Sequence, residues 1–250
     1  MMAKLFDIFK KVMLTPDEIV ELALREIIPH KITDDYIKKN FSRLVERLSS
    51  AAYDQYLKVQ KHEGEAALKE YLEEKISSDD SSKKAIEMVV SCFEEFDRFY
   101  LSLSQSRKQR AGSAFEDIIK TLFKRLSYPF DEQIVINGKP DFLMPGEKHY
   151  KSNAMDCIIF TAKRTLRERW RQIVTEGTRG LGFYLATIDD GVSESQLDEM
   201  KHNRIYLVLP VSLKKAILHY SEAYNVISFE EFFKNHLDPA VKRWKKAKIL

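Results

Sequence analysis

The sequence is short of cysteine. It has two in 250 residues, Cys92 and Cys157. Two thiols cannot build a disulfide framework, so a reducing cytoplasmic setting is expected, and both read as core residues rather than nucleophiles. Glycine is scarce too, eight in all, with Gly64 alone in the first 104 residues. The pair Gly180 and Gly182 precedes a strand pattern instead of following one, which excludes a dinucleotide-binding loop. The six histidines show no metal-ligand spacing. No apolar run approaches the ~20 residues needed to span a bilayer, so no membrane partner is expected. The opening MMAKLFDIFKKVML is interrupted by Asp7, Lys10 and Lys11. That excludes a usual signal peptide, and the segment reads as an amphipathic core helix, with a membrane-surface helix as the alternative. Nor is there an excess of one charge: 41 basic against 38 acidic residues leave +3. The overall balance therefore says little about partners, and local clustering matters more.

What is present is a large apolar complement, 44% of residues, enough for a sizeable core in one large domain or one domain with an extension. Residues 1–104 read as helices, with apolar residues at spacings of three and four in EIVELALREII and IEMVVSCFEEFDRFYLSL. Thr15 and Pro16 form a helix start as N-cap and first helical residue. The polar SSDDSSKK, 77–84, joins two helices. No glycine- or proline-rich linker follows, so the helical region is expected to pack against the rest.

From about residue 105 the pattern changes. A helix at 111–126 precedes short β-rich runs: QIVI (133–136), MDCIIF (155–160), LGFYLATI (181–188) and RIYLVL (204–209), with NVIS near 225 as a short edge strand. Helical stretches lie at 165–178, 193–202, 211–222 and 229–247. Continuous apolar strands alternating with helices predict an α/β fold around a largely buried sheet.

Asp141, in GKPDF, lies at a turn entering one apolar run. Lys163 ends another, twenty-two residues later. A carboxylate at the start of one strand and a lysine at the end of its neighbour can meet at one sheet edge. The pair suits phosphodiester hydrolysis. Carboxylate oxygens hold a divalent metal, the metal polarises the phosphate and helps generate hydroxide, and the lysine orients water or stabilises developing charge. A turn beside a solvated strand end is the plainer reading. In the commonest nuclease pattern a second carboxylate stands two residues before the lysine, where this chain has Thr161. Glu176, thirteen residues beyond Lys163 on the following helix, can supply it instead, unless it is a surface glutamate. Arg167, Glu168 and Arg169 open that helix. Arginine reads guanine bidentately and glutamate accepts from cytosine N4, so the run suits adjacent G·C pairs; a salt-bridged helix start is equally compatible. Trp170 and Ile173 are expected to face the core.

Three strings carry a resemblance: LSQSRKQRAGSAFE (103–116), KPDF (139–142) and AKRTLRERWRQIVTEG (162–177). Together they resemble the EcoRII C-terminal catalytic family of type II restriction endonucleases, over roughly residues 100–215. The resemblance implies a restriction-endonuclease-like α/β fold of the PD-(D/E)xK superfamily, with a mixed central sheet flanked by helices and a helical N-terminal region. Residues 1–104 would serve dimerisation or clamp DNA, and 105–250 would form the nuclease core. It also implies a permuted site: Asp141, Lys163 and Glu176 as the catalytic set, Asp141 and Glu176 on Mg²⁺, and Glu116 as an additional acidic residue. Arg167, Glu168 and Arg169 match the segment that reads CC/GG. The implied activity is Mg²⁺-dependent cleavage of double-stranded DNA at a palindromic CC-X-GG site, CCWGG or CCNGG, before the first C, leaving 5′ overhangs. A homodimer and a cognate DNA methyltransferase are the implied partners. Arg107, Lys108 and Arg110 are candidate phosphate contacts, or a solvated basic turn. Tyr53 and Tyr56 are candidates for a pocket holding a flipped central base, or ordinary helix packing. A repair nuclease of the same fold and a catalytically decayed DNA-binding protein are the alternatives; the base-reading triplet and the complete catalytic set count against them.

Overall fold

The computed structural model describes residues 5–28, 32–136, 138–166 and 182–250. The chain forms two compact units. One comprises residues 1–27 and 50–114, the other 28–49 and 115–250.

The first unit is helical among its described residues. Helices α1 (Leu5–Val12) and α2 (Pro16–Ile27) open the chain. The start of α2 is a reciprocal cap: Thr15 N donates to Glu18 Oε2 at 2.7 Å and Glu18 N donates to Thr15 Oγ1 at 3.3 Å. The unit also holds much of two long helices, α4 (Phe41–Glu73) and α6 (Phe93–Arg125), and all of α5 (Ser82–Ser91) between them. Leu5, Ile8 and Phe9 of α1 pack with Ala67, Tyr71, Cys92, Phe99 and Leu103. The Phe9 and Phe99 rings meet edge to face, 5.6 Å between centroids.

The second unit holds α3 (Asp34–Lys39), the first residues of α4, the end of α6, and a six-stranded sheet. Strands β1 (Asp131–Glu132), β2 (Phe142–Met144) and β3 (Ile158–Ala162) pair antiparallel. Strands β4 (Gly182–Ala186), β5 (Ile205–Leu209) and β6 (Val226–Ser228) extend β3 in parallel. Helix α7 (Glu147–Ser152) lies between β2 and β3, and α8 (Glu194–His202) between β4 and β5. Helices α9 (Val211–Ala216) and α10 (Leu218–Glu222) precede β6, and α11 (Phe229–Phe232) and α12 (Asp238–Lys246) follow it. A π-helical turn, Phe233–Leu237, links the last two.

Both faces of this mixed sheet are covered, so every residue of β3 and β4 is buried and both strands are mostly apolar. On one face Leu143, Ile159, Leu185 and Leu207 join a cluster with Leu197, Met200 and Tyr220. On the other, Phe142 and Phe160 meet Phe123 of α6, and Phe123 also meets Phe41 and Phe233.

The sequence-based strand QIVI is not one. Pairing ends at Glu132, and Gln133 takes a left-handed backbone, φ 52°. Such a residue cannot continue a strand. The edge strand expected near residue 225 forms as Val226–Ser228, parallel to β5.

Candidate active site

The site sits where β2 begins and β3 ends, in the second unit. Antiparallel pairing sets Phe142 opposite Phe160. Asp141, one residue before β2, therefore reaches the last residues of β3. Asp141 is 5% exposed. Oδ2 accepts from Ala162 N at 2.8 Å, and Lys163 Nζ donates to Oδ1 and Oδ2 at 3.1 and 3.0 Å. Lys163 is placed by its own backbone, whose N–H donates to Ala186 O at 2.9 Å at the end of β4. Two strands thus bring together residues twenty-two positions apart.

Glu116 arrives from α6. Its Oε2 lies 3.9 Å from Lys163 Nζ. Burial, and secondarily the negative charge of Asp141, push its carboxyl above the usual carboxylate range, against the opposing pull of Lys163 and a side-chain hydrogen bond with Gln133. Gln133 is a contributor that sequence reasoning missed. Its left-handed backbone has no marker in its residue type, and its N–H donates to Asp141 O at 3.2 Å.

These residues fit a hard divalent cation. Two carboxylates share one lysine, and burial together with mutual repulsion penalises the ionised form of Glu116, a penalty that a cation between them would relieve. One or two carboxylates completed by phosphate and water are a usual Mg²⁺ donor set. Among the described residues no cluster of three or more His, Cys, Asp or Glu could hold a metal. Glu176 lies outside the described residues, as do Arg167, Glu168, Arg169, Trp170 and Ile173. Thr161 is 1% exposed and its Oγ1 has no hydrogen-bond partner among the described residues.

The chain leaving β3 is pinned just before Arg167. Thr187 Oγ1 donates to Arg164 O at 3.0 Å, and Leu166 N donates to Asp189 Oδ2 at 2.7 Å. Asp189 also accepts from Gly191 N at 3.0 Å through Oδ1. Thr187 and Asp189 were not singled out from sequence. The signal was there: Asp-Asp-Gly directly after an apolar strand marks an Asx turn.

The other candidates lie in the first unit. Arg107 Nε donates to Gln60 Oε1 at 2.7 Å, and Gln60 Nε2 donates to Tyr56 Oη at 2.6 Å. Arg110 donates to Leu14 O at 2.6 Å and lies over the Tyr56 ring, 5.5 Å from its centroid. Lys108 is exposed. Tyr56 is 3% exposed and Tyr53 38%.

A sheet of this order with an acid–lysine pair at the β2/β3 end defines the restriction-endonuclease-like fold. The structure superposes on metal-depleted Ecl18kI in complex with uncleaved, modified DNA with a TM-score of 0.81 at 26% identity, covering 96% of this chain and 83% of that one. A PspGI–substrate DNA complex matches with a TM-score of 0.63 at 18% identity over 98% of each chain, a likeness of fold. Residues 70–233 match the model of the EcoRII C-terminal family, and the chain belongs to that family. It is 33% identical to the type II restriction enzyme SsoII of Shigella sonnei over 156 residues, 58% of this chain and 50% of that enzyme. It is 34% identical to the type II restriction enzyme EcoRII of Escherichia coli over 128 residues, 49% of this chain and 32% of that one. The matches thus span half or less of the length of these two relatives.

Proposed function

We propose that the protein is a homodimeric type II restriction endonuclease that cleaves double-stranded DNA at CC-X-GG, as CCWGG or CCNGG, before the first C. The observation that carries this reading is the buried Asp141 clasped by Lys163 with Glu116 beside them, in a chain of the EcoRII C-terminal family. Asp141 and Glu176, with Glu116 nearby, would hold Mg²⁺, which supplies polarisation of the scissile phosphate and a lowered water pKa. Lys163 has three N–H donors. Two are directed at Asp141, and the third is available to a phosphoryl oxygen or the attacking water. Ala162 N–H keeps Asp141 aimed when that contact rearranges.

Arg167, Glu168 and Arg169 are assigned the G·C pairs. Arg107 and Arg110 each use part of a five-donor guanidinium internally, so both retain donors for phosphates beside Lys108. Tyr53 and Tyr56 are assigned to a pocket for a flipped central base. Residues 1–104 would form the dimer interface or clamp DNA. A methyltransferase of matching specificity would protect the host, and the cytoplasm is the expected location.

Digestion of a plasmid of known sequence with Mg²⁺, followed by end mapping, tests the function. A discrete ladder with all ends at CC-X-GG is expected; random nicking or no cutting would remove the restriction reading. A second measurement addresses reading. Glu168→Ala should cost about 1–3 kcal/mol of discrimination at the cytosines, and Arg167→Ala and Arg169→Ala a similar amount at guanines. Competition binding against single-substitution duplexes measures this. Equal weakening on specific and random DNA would make these residues phosphate contacts.

A further inference from the structure

Lys242, Arg243, Lys245, Lys246 and Lys248 place five cations at the end of α12, more than the +3 net charge of the whole chain. Ala240 and Trp244 form the buried side of the helix. At 100° per residue, Lys242 and Lys246 fall on the opposite side, with Arg243 and Lys245 on its flanks. All five are exposed.

Two features separate this helix from an ordinary solvated surface. The first is the lack of compensation. Lys39, Lys61, Lys69, Lys84 and Lys151 each pair with a carboxylate four residues away. Lys242 and Lys246 are instead a like-charge pair at that spacing, which destabilises a free helix. Among the described residues neither they nor Lys245 and Lys248 have an acidic partner. The C-terminal macrodipole favours cations in the last turn, but Lys242 stands before that turn.

The second feature is rigid mounting. Arg243 Nε donates to Asp156 Oδ1 at 2.6 Å, and Trp244 Nε1 donates to Asp156 O at 3.1 Å. The other oxygen of Asp156 lies 3.0 Å from His149 Nε2 of α7. One carboxylate therefore ties α12 to α7, where Lys148 is also exposed. Burial would raise the Asp156 pKa, but the hydrogen bonds from Arg243 and His149 outweigh it and hold the carboxyl below the usual range. The clasp is thus ionised at neutral pH.

We propose that the exposed face of α12 with Lys242, Lys245 and Lys246, together with Lys248 just beyond its end, binds the phosphodiester backbone of DNA outside the cleaved segment. The proposal rests on the endonuclease reading above. Asp156 lies two residues before β3 and Lys163 directly after it, so roughly 20 Å of chain at ~3.3 Å per residue separates the clasp from the lysine of the site. Contacts so far from the cleaved bond add sequence-independent affinity and hold the enzyme on long DNA without touching the chemistry.

The test is a variant with Lys242→Gln, Lys245→Gln, Lys246→Gln and Lys248→Gln, leaving Arg243 in its clasp. Binding to a random duplex is titrated with salt. Each lost phosphate contact should flatten the slope of log K against log [salt] by about 0.9, so a change of about 2 to 4 is expected. The four Lys→Arg replacements should restore it. Cleavage of a saturating short duplex should keep the wild-type rate. An unchanged slope in the Gln variant overturns the proposal. So does tighter binding of the wild type to phosphatidylglycerol vesicles than to duplex, lost in the Gln variant, which would assign the surface to lipid. The endonuclease reading fails separately, by absence of cleavage in the wild type whatever the slopes.

Discussion

Lys163→Ala is expected to abolish cleavage, a fall of about 10²–10⁴-fold in the single-turnover rate, while specific duplex binding survives. Lys163 Nζ lies 3.0 Å from Asp141 and 3.9 Å from Glu116, so under the proposed function it would serve the reacting phosphate and not the bases. Its loss would remove the donor that the proposed mechanism directs at developing charge, and it leaves two neighbouring carboxylates without their shared cation. Asp141 keeps its bond from Ala162 N–H, so the strand pairing of β2 with β3 should hold. Rapid-mixing cleavage measures the rate, and a gel shift without divalent metal measures binding. Cleavage within a few-fold of wild type would remove Lys163 from the mechanism. Equal loss of binding and cleavage would make it a structural contact.

That pair is legible in the sequence because its parts obey local rules. Pro140-Asp141 stands at a turn, and Lys163 closes an apolar run. Strand pairing then needs only an antiparallel β2–β3 register to join them. Thr161 was readable in a different way. It occupies the position of the usual second carboxylate, yet it is buried, with a hydroxyl that has no partner among the described residues, an environment that would penalise a charge heavily. Glu176 was offered for that role by its place on the helix after Lys163 and again by the resemblance, and the proposed function assigns it there.

Gln133 was not legible, nor was the end of β1. QIVI has the composition of a strand, with Ile134, Val135 and Ile136 in sequence. Yet Val135 is 76% exposed while Ile134 and Ile136 pack against the core cluster. β-propensity describes fit to a half-buried pleated surface. Here the antiparallel partner ends at Phe142–Leu143, so the run has nothing to pair with. The bond from Gln133 N–H to Asp141 O closes the turn instead. The same limit applies to Arg107 and Arg110. Their charges advertise phosphate contacts, but only the packing of the first unit reveals Gln60 and Leu14 O as partners.

Phe123→Ala is expected to be the most destabilising single change in the second unit, by about 3–5 kcal/mol. Phe123 is fully buried. Its ring meets Phe41, Tyr128, Phe130, Phe142, Phe160 and Phe233, at centroid distances from 5.2 to 6.3 Å. Most of these contacts are edge to face, which favours the ring quadrupoles beyond simple area burial. Truncation leaves a cavity that six rings, each held by others, cannot close by small shifts. Leu218→Ala is the control, since Leu218 is 73% exposed and should change stability by no more than about 0.5 kcal/mol. Urea unfolding at 25 °C reads both as shifts in midpoint at constant slope. A loss for Phe123→Ala no larger than for Leu218→Ala would show that this aromatic cluster is not what holds α6, and Glu116 with it, against the sheet. A large loss accompanied by weakened cleavage at temperatures below unfolding would show the reverse: that the seat of Glu116 beside Asp141 depends on the ring two helical turns further along the same helix.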